Sequence, residues 1–276
     1  MSPSPVPNST PLDVGTVVAA LRAAGCVFAE DEARLLIAEA PTPAVLAAMV
    51  HRRVAGVPLE HILGWAEFCG LRIIVERGVF VPRRRTEFLV QQAAGLGGRV
   101  DTAGPTSTRI PVVLDMCCGS GAVGVAVARA VGPIELHAGD IDPAAVRCAA
   151  RNVEPVGGRV YQGDLYQPLP SALRGRVDIL VANVPYVPTE EIDMMPPEAR
   201  LFEPPVALDG GPDGLDLQRQ LTAGAPEWLA PDGHLLIETS ERQAPTTLDI
   251  FVRAGLAARI ASSDELSATV VIGSRI

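Results

Sequence analysis

Ile110-Pro111-Val112-Val113-Leu114-Asp115-Met116-Cys117-Cys118-Gly119-Ser120-Gly121-Ala122-Val123-Gly124 decides the fold of this 276-residue chain. An apolar run ends in an acid, a glycine-rich turn follows, and residues 122–131 then continue as an apolar helix. Glycines at such a turn let the backbone approach a ligand closely. Residues 119–124 match G-x-G-x-x-G, in the strand–turn–helix context the motif requires. Asp140 stands 19 residues after Gly121, at the end of a second β-prone run, 134–140. A carboxylate there can accept both hydroxyls of a ribose. Outward from this unit, strands are predicted at 160–162, 177–182 and 234–238, with helices at 143–152, 214–229 and 246–254. Residues 231–233 read as a turn, and 256–260 with 268–272 as a closing pair of strands. Strands alternating with helices imply an α/β fold, a mostly parallel sheet covered on both faces.

Two cofactors fit the glycine turn: a nicotinamide dinucleotide and S-adenosylmethionine. Asp115 favours the second, because a carboxylate suits an α-ammonium and a sulfonium and repels a pyrophosphate. Cys117, Cys118, Gly119, Ser120 and Gly121 would form the turn around it. After the third strand, Asp164 can accept from an adenine amine while Leu165 packs on the ring, or it can serve as a plain turn residue.

Asn183-Val184-Pro185-Tyr186 follows the fourth strand, at the carboxyl edge where open α/β sheets bind ligands. An amide nitrogen is a poor nucleophile because its lone pair is delocalised. The Asn183 side-chain oxygen and the Val184 carbonyl can each accept one of its N–H bonds, favouring the charge that develops as it attacks a methyl group. Pro185 restricts Val184 to extended backbone, and Tyr186 offers a flat face for the planar group. The competing interpretation is a simple Asn-x-Pro loop terminator.

The remaining sequence narrows the class of protein. The net charge of −9, from 23 basic and 32 acidic residues, argues against a general nucleic-acid footprint. All the basic residues are arginine. The five cysteines form no C-x-x-C pair, so reduced thiols without a disulfide framework or a metal site are expected. No membrane span or targeting segment is evident, which makes a cytoplasmic location the expectation. Residues 1–11 carry four prolines and read as a flexible tail. From Leu12, helical periodicity marks a small helical domain within residues 1–64, with Thr42-Pro43 opening its third helix. Residues 67–75 and 79–82 read as a hairpin turning at 76–78, within a link spanning 65–82. A helix is predicted at 86–94 and a loop at 95–109, inside a catalytic domain covering 83–276. Of Arg83-Arg84-Arg85, one is expected to be structural and two solvated. Glu203 could line the pocket or anchor the long segment 187–212.

These residues resemble the HemK/PrmC family of protein-glutamine methyltransferases. The blocks that carry the resemblance are Gly56 to Gly64 with Phe68 and Gly70-Leu71, Val81-Pro82-Arg83-Arg84-Arg85-Thr86-Glu87, Asn183-Val184-Pro185-Tyr186, and Phe202 to Leu208 with Gly210-Gly211 and Asp213-Gly214-Leu215. The resemblance implies a seven-stranded, Rossmann-like S-adenosylmethionine-dependent methyltransferase domain, preceded by a small helical domain and a β-hairpin link. It implies methylation of a glutamine amide in the Gly-Gly-Gln loop of a peptide-chain release factor, or in a ribosomal protein. By it, residues 117–121, Asp140, Asp164 or Leu165, and Asn183 would hold the cofactor, and Asn183 to Tyr186 the glutamine. Two departures stand out. Val184 replaces the first Pro of N-P-P-Y, and Cys117 replaces a glycine of the turn, which a negative φ would accommodate. An adenine-specific amino methyltransferase and a catalytically idle relative that only binds the cofactor are the alternatives.

Overall fold

The computed structural model describes residues 13–97 and 109–276. The proline-rich start and most of the predicted loop at 95–109 therefore lie outside the described residues.

Four helices come first: α1 (Val14–Ala23), α2 (Ala29–Glu39), α3 (Pro43–Val54) and the short α4 (Leu59–Leu63). Asp13 caps α1 by accepting from the Thr16 N–H, and Thr42 caps α3 by accepting from Val45 N–H with Pro43 just inside. Their apolar faces meet in a core of their own, built on Val17, Leu21, Leu36, Met49 and Ile62. Arg53 lies buried in it, 2.6 Å from the Glu32 carboxylate and bonded to the Val57 carbonyl. Helix α4 escapes prediction: five residues are too few for periodicity to show.

The hairpin joins β1 (Trp65–Phe68) to β2 (Leu71–Ile74), so the turn at 76–78 is corrected to Cys69-Gly70. Both turn residues have positive φ, 51° and 71°, as the tightest two-residue hairpin loop demands. Cys at the first position disguises the signal, because Asn, Asp or Gly usually marks it. Val79 and Val81 are buried, but in irregular backbone, so their alternation mimics a strand. Helix α5 (Glu87–Gly97) then begins after a short 3-10 turn at Arg84–Thr86.

The larger, α/β part comprises β3 (Val112–Met116), α6 (Ala122–Val131), β4 (Glu135–Asp140), α7 (Pro143–Val153), β5 (Arg159–Gln162), β6 (Val177–Ala182), α8 (Pro197–Phe202), α9 (Asp216–Trp228), β7 (Leu229–Thr239), α10 (Ala244–Arg253), β8 (Leu256–Ser263) and β9 (Ala268–Arg275). The seven-stranded sheet runs β5-β4-β3-β6-β7-β9-β8, parallel except for β9, which pairs antiparallel with both neighbours. Every residue of β3 and β6 is buried. Alternate side chains go to opposite faces: Val113, Ile179 and Val181 pack with α5, α6 and α7, whereas Leu114, Leu180 and Ala182 pack with α9 and α10. Residues 231–233 are part of β7, not a free turn. Asp232 has a φ of 62° and the register with β6 shifts there, so they form an irregularity within the strand.

Candidate active site

Strand order reverses between β3 and β6, and the chain leaves both at the same edge of the sheet. A cavity of about 470 Å³ opens there. Its walls include Asp115 and Met116 from β3, Cys117 to Ser120 from the turn, and Asp140 to Asp142 after β4. Gly163 to Leu165 after β5 and the whole of Asn183 to Tyr186 after β6 complete the wall on the sheet side. All the predicted site residues but one meet in this space. Gly121 stays off the wall: a Cβ there would sit 2.7 Å from Val153, so its glycine serves packing of the turn against α7.

The turn is tied down by carboxylates. Asp140 accepts from Gly119 N–H at 2.8 Å through one oxygen and from Asp142 N–H at 2.9 Å through the other. Each oxygen keeps a further lone pair for a hydroxyl. Asp115 is 1% exposed and accepts from Gly124 N–H at 2.8 Å. Burial pushes its pKa up to about 8, against the pull of that N–H. A cation brought into the cavity would favour its ionised form. Cys117 corrects an expectation: its φ is +56°, the left-handed region, as is that of Leu165 at 44°. Two side-chain-bearing residues thus hold strained backbone at the cavity wall.

On the loop after β6, Asn183 gives its Nδ2 to the buried Thr86 hydroxyl at 3.4 Å, which turns Oδ1 to the opposite side. Val184 is 1% exposed and packs with Leu114 and Ala182, so the side chain that replaces proline fills core volume. Tyr186 is fixed at both ends. Gln243 Nε2 donates to its carbonyl at 3.0 Å, and its hydroxyl lies 3.5 Å from the Glu238 carboxylate. Burial and that carboxylate push its pKa up to about 12, so it stays a neutral donor. Beyond Tyr186, Val187 is strapped to 208–210 by two backbone hydrogen bonds of 3.1 and 2.9 Å.

The segment before α5 contributes wall residues that sequence patterning does not assign: Phe80, Pro82, Arg83, Arg85 and Thr86. The signal for all but Phe80 is the run at 81–87, conspicuous yet without an evident chemical role. Glu203 settles into its anchoring role, accepting from Val81 N–H at 3.1 Å and from the Arg83 guanidinium at 2.6 and 2.7 Å. Arg85 is not simply solvated: its Nε lies 3.4 Å from Glu238. Ile141, half exposed after Asp140, adds an apolar wall that periodicity could not flag.

The fold and its cavity define a Rossmann-like S-adenosylmethionine-dependent methyltransferase. The model of the methyltransferase small domain family matches residues 105–202. The chain resembles a solved methyltransferase from Pyrococcus furiosus with a TM-score of 0.55 at 16% identity, over 81% of this chain and 98% of that one. It is 38% identical to the release factor glutamine methyltransferase of Geobacter sulfurreducens, over 83% of this chain and 76% of the relative. It is 35% identical to the 4-amino-L-phenylalanine/4-methylamino-L-phenylalanine methyltransferase of Streptomyces pristinaespiralis, over 78% and 72%. The chain belongs to the release factor glutamine methyltransferase family. S-adenosylmethionine is its cofactor, and the cavity suits it: carboxylates for hydroxyls and cations, backbone turns for close approach and apolar walls for a flat ring. Among the described residues, no helix is long and apolar enough to cross a membrane.

Proposed function

We propose that the chain methylates the side-chain amide nitrogen of a glutamine in a protein, with the Gly-Gly-Gln loop of a peptide-chain release factor as the first candidate and a ribosomal protein as the second, in the cytoplasm. The observation that carries this is the Asn183 amide, held through Nδ2 by Thr86 at 3.4 Å and thereby presenting an acceptor at the cavity. In the proposed arrangement, Asp140 receives ribose hydroxyls, Asp164 and Leu165 the adenine, and residues 117–121 the remainder, with Asp115 beneath. Asn183 Oδ1 and the Val184 carbonyl accept the two N–H bonds of the glutamine amide, Pro185 keeps that carbonyl extended, and Tyr186 stacks on the plane. The cofactor supplies a methyl group made electrophilic by its sulfonium. The acceptors favour positive charge on nitrogen, and placement does the rest. No strong base is required, because an N-protonated amide gives its proton to water. The helices of residues 1–64 would recognise the substrate protein, with 65–82 as the link and 83–276 as the catalytic domain.

The test is methyl transfer from labelled cofactor to a purified release factor, with the modified residue mapped by mass spectrometry. Asn183→Ala should lower kcat by about 10²–10³-fold with thermal unfolding unchanged. Retention of more than about a tenth of wild-type activity would contradict the assigned role. 4-Amino-L-phenylalanine belongs in the same assay, because the same acceptor pair would grip an arylamine. Transfer to it and to no glutamine would overturn the protein-substrate reading.

A further inference from the structure

Beside the cavity described above lies a second, of about 420 Å³, and Arg85 and Tyr186 line both. It is lined by Glu238 at the end of β7 and by Ser240 and Glu241 just after it. It is also lined by Ser262 at the end of β8, Asp264 in the β8–β9 turn and Thr269 at the start of β9.

We infer that this second cavity seats the stretch of substrate polypeptide adjoining the target glutamine, with a cationic side chain of that stretch facing its acids and Glu238 as the anchor. The inference rests on the protein-glutamine reading and deepens it. Glu238 is the key. It is 2% exposed, and its Oε1 faces the Tyr186 hydroxyl at 3.5 Å and Arg85 Nε at 3.4 Å. The Thr86 hydroxyl also bonds to this carboxylate, while its Oε2 is buried and has no hydrogen-bond partner among the described residues. A buried carboxylate oxygen left unpaired is costly, so an arriving N–H donor is favoured there. Three acids, Glu238, Glu241 and Asp264, line the space against one cation, Arg85. That balance selects a donor-rich, positively charged occupant. The hydroxyls of Ser240, Ser262 and Thr269 can donate and accept, which suits the alternating N–H and C=O of an extended peptide. Tyr186 joins the two spaces, its face in the proposed glutamine site and its hydroxyl at Glu238. A free small molecule would have no use for the second space, whereas a glutamine carried on a chain must lead its flanking residues somewhere beside the first.

Two synthetic peptides of equal length decide the matter, each centred on Gly-Gly-Gln, one flanked by arginines and one by glutamates. Steady-state kinetics with the full chain should give the arginine peptide a KM about tenfold lower. Asp264→Lys, in an exposed turn outside the methyl-transfer residues, should shrink that ratio to about twofold or less. Ser262→Tyr, which fills the space, should raise KM for the arginine peptide by about fivefold or more, with kcat and cofactor affinity by calorimetry unchanged. If Ser262→Tyr fails to fold, Asp264→Lys decides by itself. Methylation of both peptides with equal KM, unmoved by Asp264→Lys, overturns this inference and leaves the glutamine reading intact. Cofactor binding without methylation of either peptide, of a purified release factor or of ribosomal proteins overturns the glutamine reading, and this inference with it.

Discussion

Cys117 sits at a φ of +56°, where a β-carbon crowds the backbone and glycine does not. Cys117→Gly should therefore stabilise the protein by about 0.5–1 kcal/mol, raising Tm by about 1–4 °C in thermal melts. An unchanged or lower Tm would mean that the lost side-chain packing outweighs the relieved strain. Asp115 makes a second prediction at this scale. Its pKa is raised to about 8 by burial, well above the unfolded value near 3.9. The folded state therefore holds a proton that the unfolded state releases, so the contribution is full below about pH 4 and is lost as pH rises towards 8. Thermal stability of the cofactor-free protein should fall across that window, and Asp115→Asn should flatten the fall. An identical pH slope in the variant would refute the assignment. Most of the cavity is legible residue by residue, because acids and glycines at strand ends have few other uses. Phe80 and Thr86 are not, since nothing in a local pattern says that a segment before α5 folds back over the strand ends of a domain that follows it.

Asn152 shows what an element can hold. From α7 it accepts from Ile74 N–H at 2.9 Å, donates to Ile74 C=O at 2.9 Å and donates to Ser120 C=O at 2.8 Å. One amide thus fastens β2 and the glycine turn at 117–121 to the same helix. Asn152→Leu should remove a partner from Ile74 N–H and leave the buried Ser120 C=O unpaired, while Ile74 C=O keeps the Cys148 thiol at 3.3 Å, costing about 2–4 kcal/mol by urea unfolding, and should weaken cofactor binding in calorimetry. Loss of stability without loss of affinity would confine Asn152 to the hairpin. Gly214 has the same reach on the other side: a Cβ there would lie 2.3 Å from the Tyr186 carbonyl. Gly214→Ala should cut activity by displacing the loop at 183–186, and Gly211→Ala, which meets an Asp216 side chain instead, gives the comparison. Elements with sustained periodicity are legible to within a few residues, β6 and α6 at both ends. The hairpin is misplaced because a left-handed cysteine carries no turn signature.

At the scale of the whole molecule, few charged contacts among the described residues join the helical start to the rest. Arg53, paired with Glu32 at 2.6 Å, also reaches Glu198 at 3.6 Å, on the segment that Glu203 ties to the cavity wall. Arg53→Met strands the Glu32 carboxylate, so it should destabilise by about 3–5 kcal/mol, and Glu32→Leu in the same chain should recover much of that. No recovery would place the value of Arg53 in its bond to Val57 instead. This long-range pairing is invisible in the sequence, where Arg53 and Glu198 are two charges among many. The sheet order is legible in class, because strands alternating with helices permit few arrangements.

β9 follows β8 along the chain yet lies inside the sheet, between β7 and β8. As the polypeptide emerges during synthesis, β8 finds no partner until residues 268–275 have cleared the ribosomal tunnel. Until then β7 presents a raw apolar edge, with Val270, Val271 and Ile272 still to cover it. The nascent sheet is therefore sealed late and at one stroke, and holding factors that shield unpaired strands would have their moment there.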